Sequence, residues 1–243
     1  MPAIHLEPIE STSTQPEPSR PTLASRESIE SQFLKNVLHT VPSYVLDHAP
    51  LIHLHSKEPF WPASQLNHIK NLNFSNQPIL SHCQAENRKE IPFSILSDLK
   101  FNHEKAYMTT DDIEKIRSSP QSIQWLCSNE GKPDEFGKSK VSTVNLIVVD
   151  KSELTGIPNT LDAFWFFFYS FNLGPKVLGI HFGNHLADWE HCMIRFIDQK
   201  PTAIHLSSHA DGFAYRFDSL EKVGARPVIY SAYGSHAMYP KAG

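Results

Sequence analysis

Apolar residues change their spacing along this chain, and each change predicts an element. Over IESQFLKNVLHTV, Ile29, Phe33, Leu34, Val37 and Leu38 recur at the helical interval. LIHLH (51–55) instead alternates, with Leu51, His53 and His55 on one side and Ile52 and Leu54 on the other, as a strand does. WPASQLNHIKNL predicts a helix opened by Pro62, whose missing N–H is not needed in a first turn. The stretch 73–140 is mixed and polar. It holds one helix start, Asp111-Asp112-Ile113-Glu114, with the Asp-x-x-Glu spacing of a capping box, and an exposed Gly/Lys/Asp loop at 130–140.

From residue 141 the pattern is that of strands. VNLIVVD is a nearly continuous apolar run, which predicts a strand covered on both faces. AFWFFFYSF follows with an unbroken aromatic run from Phe164 to Tyr169, which predicts a central strand whose rings form core. DWEHCMIRFI, a Lys200-Pro201 turn, TAIHLSS, a Gly loop at 211–212 and FAYRF come next. DSLEKVG predicts a one-turn helix capped by Asp218 and closed by Gly224, and PVIYSAYGSHAMY ends the chain. Short strands with a turn signal about every ten residues predict a mainly β fold, a β-sandwich with a few short peripheral helices. Its core falls mainly in 141–243, within a single domain over 29–243. Residues 1–28, rich in Ser, Thr, Pro and Glu, predict a disordered tail.

Composition narrows the function classes. A net charge of −4 with interspersed acids and bases lacks the basic patch that phosphate-backbone binding needs, which argues against nucleic acid as a partner. Three cysteines, Cys83, Cys127 and Cys192, form no C-x-x-C pair and fit a reducing compartment as small apolar packing residues. No secretory signal opens the chain. Its most apolar run, LDAFWFFFYSF, is about half the length a transmembrane helix needs. These features predict an intracellular protein, cytoplasmic or vacuole-associated and not secreted.

Candidate chemistry concentrates in GNHLADWEHCMIRF (183–196). On a strand, Asp188, Glu190, Cys192, Ile194 and Phe196 share one face, while Trp189, His191, Met193 and Arg195 share the other. The two carboxylates then lie roughly 7 Å apart at Cα and raise each other's pKa unless a cation sits between them. His185, in a loop opened by Gly183, can curl back to the same place. One imidazole with two carboxylates suits Ca²⁺, Mg²⁺ or Mn²⁺ better than a structural zinc. A second grouping puts His205, Ser207 and His209 on one face of TAIHLSSH, with Ser235 and His236 supplied by GSHAMY. No G-x-S-x-G elbow accompanies them, which argues against a nucleophilic serine. His53 and His55 are expected at the edge of the core.

Five blocks carry a family resemblance in order: VPSYVLDHAPLIHLHSKEPFWPASQLNHI, DAFWFFFYSFNLG, FGNHLADWEHCMIRF, KPTAIHLSSHADGFAY and ARPVIYSAYGSHAMYP. Together they resemble the vacuolar protein sorting-associated protein 62 family, common in fungi, from about residue 41 to the end, and most weakly over 70–140. The resemblance implies a role in traffic to the vacuole. That family continues past G-S-H-A-x-Y with a further strand, so it also implies a C-terminally truncated chain with an exposed sheet edge. A more distant likeness, through the G-x-H-x-x-D-W-E-H block, is to the necrosis- and ethylene-inducing-like proteins, β-sandwich cytolysins that hold a divalent ion beside a glycolipid site. Aligned on Asp-Trp-Glu, it places His185, Asp188 and Glu190 on ligand positions and Asn172 near an upstream acidic ligand. Asn184 is inserted after Gly183 and Leu186-Ala187 replaces an Arg-His pair, so the match is partial.

Three readings are open at this point. In the first, a metal-dependent sandwich presents the ion, with His209 or His236 nearby, to a membrane lipid headgroup or a sorting cargo. In the second, an intracellular enzyme or accessory protein of fungal secondary metabolism uses the same ion, with His209 or His236 as proton carrier. In the third, the polar cluster holds the sandwich together by hydrogen bonds alone.

Overall fold

A computed structural model describes residues 41–75, 107–110, 112–127, 129–135, 139–141, 144–208 and 211–243. The tail at 1–28, most of the helix expected at 29–41, and His209 lie outside them. Ser43–Gly243 form one unit, and the architecture is that of this unit.

The framework is an antiparallel five-stranded sheet. In spatial order it runs β10 (Asp211–Arg216), β9 (Lys200–Ser208), β8 (His185–Ile197), β5 (Thr160–Asn172) and β4 (Val144–Asp150). β5 and β8 have 13 residues each and pair along their whole length, from Thr160 opposite Ile197 to Asn172 opposite His185. A smaller sheet joins β1 (Leu51–Leu54), β12 (Arg226–Ser231) and β11 (Lys222–Val223), with β13 (Met238–Tyr239) also on β12. β1 runs parallel to β12, which brings the 50s of the sequence beside its last strands. β13 lies against β8 and β9, so the small sheet covers one face of the large one. The chain is a mainly β sandwich, as the strand periodicity predicts.

Alternation decides which residues form the core. Along β8, Asp188, Glu190, Cys192, Ile194 and Phe196 are buried, and the residues between them are exposed or half-buried. Ile204 and Leu206 of β9 and Ala163, Trp165 and Phe167 of β5 complete that layer. Each large apolar side chain so buried stabilises the fold by roughly 1.5–3 kcal/mol. A second cluster forms where Phe60, Ile116, Ile123 and Leu126 pack on Phe171 and Leu173.

Several local expectations are corrected. β4 is the last strand of its sheet and is only partly buried, because it pairs with β5 alone. The turn between β8 and β9 is Asp198-Gln199, both at positive φ (48° and 65°), and Lys200-Pro201 already belong to β9. Two positive φ values match the twist of a two-residue hairpin better than a Lys-Pro turn would. Gly212 is inside β10. Phe217–Ser219 make a single 3-10 turn that leads into β11, where an Asp218-capped helix was expected.

The helices are short. α1 spans Ser43–Asp47, and α2 spans Gln65–Ile69 with Ser64, two residues past Pro62, as its cap. Pro62 instead bridges to Tyr169 on β5, past the point where β4 stops pairing with that strand. α3 (Ile113–Ser118) begins after Asp112, which makes no capping hydrogen bond through its side chain; Asp111, the first residue of the expected capping box, lies outside the described residues. α4 is Ser152–Thr155.

Candidate functional site

The buried face of β8 changes character at Glu190. From Cys192 to Phe196 it is apolar; at Glu190 and Asp188 it carries two carboxylates, 5% and 6% exposed. They face Phe167 and Tyr169 across the ladder. The expected shared face is present, and it points into the sandwich.

What makes this burial tolerable is an imidazole from the other sheet. His236, fully buried, follows the Gly234-Ser235 turn between β12 and β13 and sits at φ 57°. Its Nδ1 is 3.0 Å from Asp188 Oδ2 and its Nε2 is 3.5 Å from Glu58 Oε1. The ring stacks on Tyr169 at 3.8 Å with a 5° tilt. Burial opposes a charge on His236, but the Asp188 and Glu58 carboxylates outweigh it and raise its pKa. The ring therefore sits between two acids that favour its protonated form, hydrogen-bonded to Asp188 and within 3.5 Å of Glu58. Glu58 is itself fixed: its Oε1 accepts from Phe60 N–H (3.0 Å) and its Oε2 from Gly234 N–H (2.6 Å).

Glu190 has a different partner. Ser207 donates its hydroxyl to Glu190 Oε2 and accepts from the His191 N–H at 2.9 Å. The β8–β9 ladder runs only as far as Cys192 opposite Leu206, so this hydroxyl takes over where the backbone pairing stops. Burial is the main cause that raises the Glu190 pKa to about 7; Asp188 adds to the rise, and Ser207 and His236 oppose it. Glu190 is thus half-protonated near neutral pH.

His185 stands at the outer edge, with about half of its side chain exposed. Its Nε2 lies 3.9 Å from Asp188 Oδ1 and 3.2 Å from Asn172 Nδ2. The Asn172 oxygen accepts from Gly174 N–H at 2.6 Å. Ala187, at φ 60°, interrupts the alternation between His185 and Asp188 and lets the histidine approach the acid.

The structure thus brings together His185, Asn172, Asp188, Glu190 and His236. It separates His205 from Ser207: the first stacks with His191 at 5.7 Å, and the second turns to Glu190. Ser235 is buried in the turn before His236, and among the described residues no base is paired to it as a nucleophile would need. Among the described residues no group of three His, Cys, Asp or Glu side chains is arranged so that it could hold a metal ion. Sequence reasoning missed Glu58 and Tyr169. Glu58 reaches the site through the parallel β1–β12 pairing, far along the chain from His236, and no local spacing marks it.

A separate open cavity of about 760 Å³ lies beside α2, lined by Asn67, His68, Gln124, Trp125 and Ser170 among others, and includes none of these site residues. In its wall His68 is buried, neither ring nitrogen has a hydrogen-bond partner among the described residues, and burial lowers its pKa to about 4, which keeps it neutral.

The sandwich thus gathers three acids and an imidazole at one end of its central ribbon. Residues 126–243 match the family of vacuolar protein sorting-associated protein 62, and the chain belongs to that family. It is 32% identical to vacuolar protein sorting-associated protein 62 of Saccharomyces cerevisiae, over 93% of this chain and 51% of that protein. It is 33% identical to a second protein of that yeast, provisionally named as vacuolar protein sorting-associated TDA6, over 85% of this chain and 48% of the relative. The chain spans about half the length of these curated relatives. No solved structure matches.

Proposed function

We propose that this chain is an intracellular module of vacuolar protein sorting that holds a divalent cation at His185, Asp188 and Glu190 and uses that end of the sandwich to recognise a membrane headgroup. Carrying this reading is one observation. Asp188 and Glu190 are buried on a single face beneath the half-exposed His185, whose Nε2 is 3.9 Å from Asp188.

Charge supports the fit. Glu58, Asp188 and Glu190 bring three negative charges when ionised, and the described partners within the cluster return one, on His236. A proton on Glu190, favoured mainly by burial and further by Asp188, relieves part of that excess. A hard divalent ion would relieve it better, with carboxylate oxygens and one imidazole as donors. Asn172 fits less well, since its amide nitrogen faces His185 and its oxygen is engaged by Gly174. Once bound, the ion would supply a fixed positive charge for an anionic headgroup. His236 holds Asp188 in place through the 3.0 Å contact to Oδ2. Ser207 orients Glu190. The names of the relatives support a place on the route to the vacuole, where lipid headgroups or sorted cargo are the available ligands.

The test is pelleting with anionic vesicles, with and without EDTA. The reading expects binding that falls at least severalfold on chelation and returns with added Ca²⁺, Mg²⁺ or Mn²⁺. Binding equal in both conditions would remove the ion from recognition.

A further inference from the structure

The ribbon of β5 and β8 does not end at the site. Past Asn172 and His185, whose Cα atoms are partners, the connecting chain forms a small hairpin of its own, β6 (Lys176–Val177) and β7 (Ile180–His181). Its turn, Leu178-Gly179, has two positive φ values, 50° and 85°, the conformation two-residue hairpins prefer. Leucine is an unfavoured residue at such a φ, so side-chain chemistry rather than backbone ease accounts for its presence there.

That chemistry is apolar and exposed. Leu178 is 98% and Ile180 62% exposed, and Val177 and Phe182 are each more than half exposed. Four large apolar side chains within six positions form a cluster in water, which monomeric proteins avoid unless the patch is used. The base of the hairpin is fastened. Leu173 N–H donates to Gly234 O (2.8 Å), Gly174 N–H to the Asn172 side chain, and Phe182 N–H to Pro175 O (3.1 Å). Gly174, at φ 69°, admits no larger residue, because a Cβ there would overlap the Phe182 carbonyl. The apolar tip is held out from the body by these contacts.

Charge distinguishes the occupant. From Leu173 to Asn184 the only ionisable residues are Lys176 and His181, and there is no acid. They face each other one step behind the tip. An apolar point with a lysine one step behind it and no acid nearby matches the interface of an anionic bilayer, where aliphatic side chains enter the acyl boundary and a lysine stays among the phosphates. A neutral protein groove would not require the lysine.

We propose that the Lys176–His181 hairpin is the membrane-inserting element of this chain, dipping Val177, Leu178 and Ile180 into an anionic lipid surface and setting the His185–Asp188 end at headgroup level. This rests on the membrane reading above and names the part that touches lipid.

The test compares the full chain with Leu178→Ser/Ile180→Ser in pelleting with vesicles of phosphatidylcholine and phosphatidylserine, and follows the tryptophan fluorescence of a Leu178→Trp variant. Because these side chains are exposed, the variants should melt as the parent does. The expected result is partitioning weakened by about tenfold or more in the double-serine variant. The emission of the Leu178→Trp variant should shift to the blue on vesicles, beyond any shift of the parent chain. Equal partitioning of the double-serine variant, or no added blue shift in the Leu178→Trp variant, overturns the hairpin's role and leaves the membrane reading standing. A parent chain that binds no vesicles overturns both. Loss of the EDTA effect alone removes the ion and keeps the hairpin.

Discussion

Two aspartates on the same pair of strands show how differently one fold can hold a buried charge. Asp162 on β5 and Asp188 on β8 are 2% and 6% exposed. Asp162 meets Arg195 directly across the ladder in a two-pronged bridge, Nε to Oδ1 at 2.8 Å and Nη2 to Oδ2 at 2.7 Å. Asp188 meets His236, which arrives from the other sheet and is shared with Glu58. The first pair has a permanently charged cation that still reaches water, so it is local. The second has a titratable cation with no exposure, next to a further acid that is only partly ionised. One is a structural pairing. The other is an unbalanced cluster, and imbalance of that kind is what a ligand can exploit.

The largest effect should come from removing the shared imidazole. His236→Ala leaves Asp188 and Glu58 facing each other in the interior and opens a void under Tyr169. It should cost about 3–5 kcal/mol in urea unfolding. A loss below about 1 kcal/mol would mean the cluster is already open to water.

Second in size is a pH dependence, measured in EDTA. A raised pKa means that the folded chain holds a proton the unfolded chain gives up. His236 therefore contributes fully below about pH 6.5 and loses its contribution as pH rises through its higher folded value. Glu190 behaves alike: its contribution is complete below 4.5 and fades as pH rises towards about 7. Stability should fall from pH 5 to pH 8, and Glu190→Gln should flatten its share of that slope, roughly 1–2 kcal/mol. A variant slope equal to that of the parent would deny Glu190 its raised pKa.

Ser207→Ala comes next. It removes a donor to Glu190 and the acceptor for His191 N–H, for a cost of about 1–2 kcal/mol in the same unfolding assay. The smallest change is expected at the contrasting pair. Asp162→Asn weakens a bridge whose arginine can turn to solvent, for about 1 kcal/mol, and leaves the slope between pH 5 and 8 unaltered. A changed slope would erase the distinction between the two aspartates.

The contrast also explains what was legible in the sequence. Within one strand, alternation is a fixed consequence of backbone geometry, so the partition of Asp188 and Glu190 from Trp189 and His191 followed from parity alone. Alternation fails at Ala187, where a left-handed residue breaks it, and at Ser207, where the ladder stops and the hydroxyl replaces a carbonyl. The double coverage expected for β4 failed because an apolar run marks a strand without marking its place in a sheet. Glu58 and His236 could not be joined in advance, since their meeting depends on a parallel pairing of distant segments and on which sheet covers which.

The central claim is that the Asp188 end holds a divalent ion. Elemental analysis and calorimetric titration of the EDTA-treated chain with Ca²⁺, Mg²⁺ and Mn²⁺ address it most directly, beside His185→Ala, which alters a half-exposed side chain and should leave the fold intact. The account predicts one ion per chain in the parent and binding weakened by about tenfold or more in the variant. A parent that takes up no ion, or a variant that binds it as tightly, would contradict the account.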